Sequence, residues 1–234
     1  MPMYARDEPT KCRPIDRWAG GVGWLAHPHE DGRRASHAIG GDDGVWLVDP
    51  LDAPGVDDLI ESIGEIVGVA VLSDFHARDA AVFAERYGVS VHVPRWLNRA
   101  TARIDAPIEQ FTDEIGDSGF RVRNARPFPG CRESIAYHES NGTLYVPDVL
   151  STELSATVGD ERIALFLPGR LFPPRHLFGD LRPERILLGH GTGIFDDATA
   201  ALIETLDGAR RRFPQALVTS GWTQLRAGIA ALGD

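Results

Sequence analysis

The densest chemistry in this chain lies at Asp74, His76, Arg78 and Asp79, directly after the apolar run Val67 to Leu72. These four ionisable side chains fall within six residues, where an expected strand ends and an expected helix begins. Open α/β sheets place their reactive groups at such strand ends. Similar groups stand at other expected strand ends. Asp49 closes the run Val45 to Val48, and Cys131 follows Pro129-Gly130 in a turn before an expected strand starting at Ser134. Asp148 comes after Val146-Pro147, and His190 sits inside Gly189-His190-Gly191 after Ile186 to Leu188. Carboxylates, imidazoles and a thiol gathered at one sheet edge are the ligand types of a zinc or iron site.

The elements that must position these groups follow from hydrophobic patterning. Strand-like segments at Val22 to Ala26, Ser36 to Gly41 and Val45 to Val48 are separated by turn signals such as Gly40-Gly41-Asp42-Asp43-Gly44. The continuous run Val45-Trp46-Leu47-Val48 reads as a central strand covered on both faces. A short helix is expected over Val56 to Ile63, with Asp57 and Asp58 in its first turn where the helix dipole favours them. A strand over Val67 to Leu72, a helix over Ala77 to Tyr87 stopped by Gly88, and a strand over Val89 to Val93 complete a β-α-β-α-β series, hence a partly parallel sheet. Strands follow at Phe120 to Asn124, Ser134 to His138 and Thr143 to Val146, the last two joined by the hairpin signal Asn141-Gly142. Another strand covers Arg185 to Leu188, and helices cover Ala198 to Arg212 and Trp222 to Leu232. Residues 149–181 read as irregular, and residues 1–14 as a loose arm before a single domain over 15–234. The pattern predicts two sheets packed face to face with helices outside.

Composition narrows the function classes. The 234 residues carry a formal net charge of −10, which argues against nucleic acid or an anionic membrane as partner. Lys11 is the sole lysine. No apolar run reaches the roughly 18–20 residues of a membrane span, the N-terminus lacks an apolar signal core, and Cys12 and Cys131 do not form a disulfide framework. The expectation is a cytoplasmic protein acting on a small molecule.

Taken in order, these motifs resemble the metallo-β-lactamase superfamily, an αβ/βα sandwich whose members mostly hydrolyse substrates with one or two metal ions. The family's first motif has the form Thr/Ser-His-x-His-x-Asp-His. Laid on it, Ser73 and His76 match, while Asp74 replaces the first His, Arg78 the Asp, and Asp79 the last His. The family's Pro-Gly-His turn is matched by Pro129-Gly130 with Cys131 in the His position. Its bridging carboxylate is matched by Asp148, its late Gly-His-Gly by Gly189-His190-Gly191, and its strand-end aspartate by Asp49. The resemblance spans Val22 to Gly193 and implies a four-layer sandwich with an altered metal motif. Arg78 stands where the family uses a carboxylate to hold a second metal and orient the attacking hydroxide, so standard dinuclear hydrolysis is not implied.

Counting charge separates the remaining readings. With Asp74, Asp79 and Asp148 ionised and Arg78 protonated, the cluster carries −2. Two like charges about 4 Å apart repel by about 4 kcal/mol at an effective dielectric of about 20, so either a divalent cation or protonation must relieve the site. One reading places a single zinc, iron or manganese ion among Asp74, His76, Cys131 and Asp148, with Asp79 and His190 completing the candidate ligands. Asp148 is then a ligand and Arg78 stabilises developing negative charge during hydrolysis of a small ester, thioester or lactone. The other reading is a metal-free, non-catalytic ligand-binding protein with an ion-pair network in the same place.

The resemblance also puts a loop between early strands over the site, making Trp24 and His27 substrate-binding candidates, although His27-Pro28-His29 reads more readily as a polar hairpin loop. The apolar segment Leu165 to Phe178 reads as a satellite core, a lid or a homodimer contact; as a lid it would offer Arg170 and Arg175 to an anionic substrate. Gly116-Asp117-Ser118-Gly119 is better explained as a β-turn than as a serine nucleophile.

Overall fold

The computed structural model describes residues 3–128, 130–153 and 155–232; Pro129 of the expected Pro-Gly turn lies outside them. The first sheet holds seven strands in sequence order: β1 (Arg13–Trp18), β2 (Gly21–Leu25), β3 (Ala35–Gly40), β4 (Val45–Val48), β5 (Ile66–Ala70), β6 (Val91–Pro94) and β7 (Ile108–Phe111). Pairing is antiparallel from β1 to β4 and parallel from β4 to β7. The helices α1 (Val56–Ile60), α2 (Ala80–Tyr87) and α3 (Asn98–Thr101) lie in the crossovers. Gly88 ends α2 in the left-handed conformation, φ 67°, and its N–H bonds the carbonyls of Ala84 and Glu85.

The second sheet has the order β13-β10-β9-β8, from β8 (Arg121–Phe128), β9 (Cys131–His138), β10 (Thr143–Val146) and β13 (Arg185–Leu188). Between β10 and β13 run the short pair β11 (Leu150–Ser151) and β12 (Ala164–Leu165), then α4 (Leu167–Leu171) and α5 (Arg175–Phe178). The chain closes with α6 (Ala198–Leu232).

The side-chain period of two along each strand sorts the core into layers. In β4, Val45 and Leu47 join the cluster containing Val56 and Ile60 of α1 and Phe83 of α2, whereas Trp46 and Val48 enter a middle cluster. In β10, Leu144 and Val146 join the cluster under α6 while Tyr145 faces the middle. Leu187 of β13 does the same between Ile186 and Leu188. Three apolar clusters therefore separate four layers, helix-sheet-sheet-helix, and the continuous apolar strands are those buried on both faces.

Three expectations need correction. The arm over residues 3–14 is not loose: the Gly32 N–H bonds the Met3 carbonyl at 2.8 Å, the Ala5 N–H bonds Glu30, and the Cys12 N–H bonds the Pro54 carbonyl. The two C-terminal helices are one. α6 runs through Pro214, which lacks the N–H that would bond the carbonyl four residues back. Residues 149–181, expected to be irregular, contain the short elements β11, β12, α4 and α5. Among the described residues, no helix is long and apolar enough to cross a membrane.

Candidate active site

The ends of β4, β5, β10 and β13 meet at one edge between the two sheets. Gly189 makes this possible, since a Cβ there would lie 2.4 Å from the Pro147 carbonyl oxygen. A second glycine, Gly191, turns the chain away at φ +96°, where a Cβ would strike the Thr152 hydroxyl at 2.3 Å. His190, held between them, thus reaches Asp148 at the end of β10.

Three ligand atoms converge. His76, Asp148 and His190 each offer one atom, all within 4.8 Å of one another. Asp148 Oδ1 lies 3.2 Å from His76 Nε2 and 3.1 Å from His190 Nε2. The tautomers follow from the other ring nitrogens. His190 Nδ1 lies 2.6 Å from the Gly32 carbonyl oxygen, which only accepts, so Nδ1 carries the hydrogen. His76 Nδ1 lies 2.8 Å from Asp49 Oδ2, which also accepts the Tyr145 hydroxyl at 2.6 Å. Asp49 Oδ1 accepts the Leu72 N–H, so Asp49 is a buried orienting group for His76. In the neutral rings both Nε2 lone pairs face a carboxylate oxygen, a set of three acceptors that requires a proton or a metal cation at its centre.

Asp148 is itself fixed. Its Oδ2 accepts the Ser73 hydroxyl at 2.6 Å, and its backbone N–H bonds Glu133 Oε2 at 2.7 Å. Burial opposes ionisation of Asp148, but His76 and His190 hold its pKa well below the ordinary carboxylate value. Burial likewise opposes protonation of His190, and the hydrogen bond and charge of Asp148 outweigh it, so its pKa is raised. Each group thus favours the charged form of the other, across the 3.1 Å between His190 Nε2 and Asp148 Oδ1.

Arg78 lies alongside, with its backbone at φ 40°, a region costly for a residue with a side chain. Its Nη1 donates to the carbonyls of Ala35 and Asp49, both at 2.7 Å, and its Nη2 lies 3.2 Å from His76 Nε2. The guanidinium therefore joins the ends of β3 and β4 and competes for the His76 lone pair.

Several expected site residues fall elsewhere. Asp74 lines the same cavity, but its Oδ1 accepts the N–H groups of Arg99 and Ala100 in α3. Asp79 accepts the Asp52 N–H at 2.7 Å. Cys131 faces the cavity, and burial followed by the charge of Asp148 pushes its thiol pKa up, away from the thiolate a metal needs. None of these three belongs to the converging group among the described residues. Trp24 is fully buried, its indole N–H on the Leu51 carbonyl, as part of the core under α1 and α2. His27 is not among the residues lining the cavity. Arg170 is sealed against Glu161, Arg175 forms an exposed pair with Asp207 of α6, and neither is among the residues lining the cavity.

Two contributors lacked a local sequence signal. Tyr4 lines the cavity beside His190, with ring centroids 6.2 Å apart, although it belongs to the N-terminal arm. Glu133 is buried and accepts the N–H groups of both Asp148 and Val149. An acidic residue between Cys131 and the apolar positions of β9 was the one available hint.

No protein-family model matches the chain, and none of the curated proteins matches it. Solved structures do. The chain superposes on DIM-1 metallo-β-lactamase with a TM-score of 0.60 at 13% identity, covering 88% of this chain and 99% of that one. FIM-1 metallo-β-lactamase from Pseudomonas aeruginosa, in a mono-zinc form, gives 0.56 at 13% identity over 89% and 99%. TTHA1623 in a di-iron-bound form gives 0.52 at 17% identity over 74% and 94%. The chain has the metallo-β-lactamase fold.

Proposed function

We propose that this chain is a hydrolase of a small ester, thioester or lactone that works with one divalent metal ion. The observation that supports it is the convergence of His76 Nε2, His190 Nε2 and Asp148 Oδ1, with both Nδ1–H groups already committed to Asp49 and to the Gly32 carbonyl. Such outer partners orient and strengthen imidazole ligands. The residues fit one ion and not two, because Asp74 and Asp79 are engaged elsewhere and Arg78 brings a positive charge beside His76. When bound, zinc, iron or manganese would polarise a carbonyl or lower the pKa of a water. The chain's own groups do the rest. Ser73 and Glu133 fix Asp148, Asp49 fixes His76, and the Arg78 guanidinium offers a fixed cation for developing negative charge.

The second reading, a metal-free ligand-binding protein, is favoured by the Arg78 contact with His76 Nε2, which partly satisfies that lone pair. Elemental analysis of protein purified without chelator, followed by titration with Zn²⁺, Mn²⁺ and Fe²⁺, separates the two. The hydrolase reading expects one ion per chain, lost in His190→Ala, and ester or thioester turnover that depends on it. Uptake should weaken as pH falls, because the metal displaces the proton shared by His190 and Asp148. Protein that binds none of the three ions overturns this reading in favour of the second.

A further inference from the structure

The cavity containing His76, Asp148 and His190 has a volume of about 1110 Å³, just above the roughly 300–1,000 Å³ typical of ligand pockets. Its two sides differ in chemistry. The floor is polar, with Arg78 and Tyr4 beside the three converging residues. Another stretch of the lining is an apolar wall, built from Phe166 and Leu167 ahead of and within α4 and from Leu217, Trp222, Leu225 and Ile229 of α6. Trp222, Leu225 and Ile229, spaced by three and four residues, share one helix face, and Leu217 lies at its margin. Trp222 is 71% exposed and Ile229 63% exposed, so this face meets solvent rather than the core. Contiguous exposed apolar surface of this kind marks a binding site.

We infer that the cavity binds an amphiphile whose carbonyl head sits at His76, Asp148 and His190 and whose medium-length acyl chain lies along the α6 wall. Placing the head there rests on the hydrolase reading. The chain subsite rests on the wall alone. A single linear molecule is the occupant that the continuity of the lining selects, because apolar wall and polar cluster belong to one cavity. A second protein copy seated on the wall would close the cavity over the polar groups instead of using them.

Isothermal titration of the intact protein with uncharged primary amides, from butanamide to decanamide, tests the subsite without needing turnover. Affinity should rise by about fourfold for each methylene that the wall covers. The double variant Trp222→Gln, Leu225→Gln alters exposed positions, so it should fold and should flatten that rise. Affinity independent of chain length, or a rise unchanged in the variant, overturns the inference. So does a wild-type dimer in sedimentation that the variant converts to monomer, since the wall would then belong to a second copy. A parallel series of p-nitrophenyl esters keeps the two claims apart. Length-dependent amide binding without ester turnover supports the subsite and removes the hydrolase reading. Ester turnover with a flat length profile in both series supports the hydrolase reading and removes the subsite.

Discussion

Replacing Arg170 with Met tests whether the apolar wall depends on one buried ion pair. Arg170 in α4 and Glu161 are both buried, with side-chain exposures of 0% and 1%. Their contact is bidentate, Nη1 to Oε1 at 2.6 Å and Nη2 to Oε2 at 2.8 Å, with a third bond to the Ala156 carbonyl at 3.1 Å. Removing one partner of such a pair strands the other charge and costs about 3–5 kcal/mol. Glu161 retains the Val158 N–H at 3.0 Å, while Arg212 remains 4.0 Å away, so the lower end applies, about 3 kcal/mol. At about 2–4 °C per kcal/mol for a chain of this size, Tm should fall by about 6–12 °C. Differential scanning calorimetry and urea unfolding would measure it. Arg170→Met combined with Glu161→Gln should recover at least half of the loss, because the second change removes the stranded charge while keeping an acceptor for Val158. A single-variant loss below about 1 kcal/mol, or a double variant no better than the single, would refute the claim that α4 is pinned electrostatically.

Other perturbations probe the site itself. Asp74→Ala should leave metal stoichiometry unchanged while costing about 1 kcal/mol, the worth of a helix N-terminal acceptor, as read by titration and urea unfolding; loss of metal would restore Asp74 as a ligand. Arg78→Met strips a cationic donor from the Ala35 and Asp49 carbonyls, a loss of about 3 kcal/mol, and frees His76 Nε2, so Zn²⁺ should bind more tightly in calorimetry. Weaker Zn²⁺ binding in a folded variant would contradict the proposed competition. Burial holds the His92 pKa below its ordinary value, with Glu109 partly opposing that effect. A depressed folded pKa means that the stability linked to His92 is present above about pH 6.5 and is lost as pH falls through the folded pKa. Glu109→Gln should lower the His92 pKa further in an NMR titration; an upward move would refute the assignment.

The layers of this fold were legible because strand runs such as Val45 to Val48 and Arg185 to Leu188 keep their period, and each apolar residue has one face to fill. Asp148 and His190 were legible for a related reason, each following such a run at a turn. Asp74 was not. Its type and position suit a metal, but its partners are backbone N–H groups 25 and 26 residues away, and only the folded chain brings α3 there. Tyr4 was lost in an arm whose order depends on Glu30 and Gly32, distant in sequence. The two helices expected over Ala198 to Arg212 and Trp222 to Leu232 are the single helix α6.

Arg78 bears on how this site could change over time. Its Nη1 closes off two main-chain carbonyls at the ends of β3 and β4, and that service is unrelated to any ligand. Exchanging it for the carboxylate that the family resemblance implies would take the guanidinium donor from both carbonyls, leaving the Asp49 carbonyl only the Ser36 hydroxyl, and would bring a new anion beside Asp49 and Asp148. A carboxylate at position 78 would therefore disturb the β3–β4 edge as well as the charge of the site. Accommodating it would require a compensating donor near Ala35.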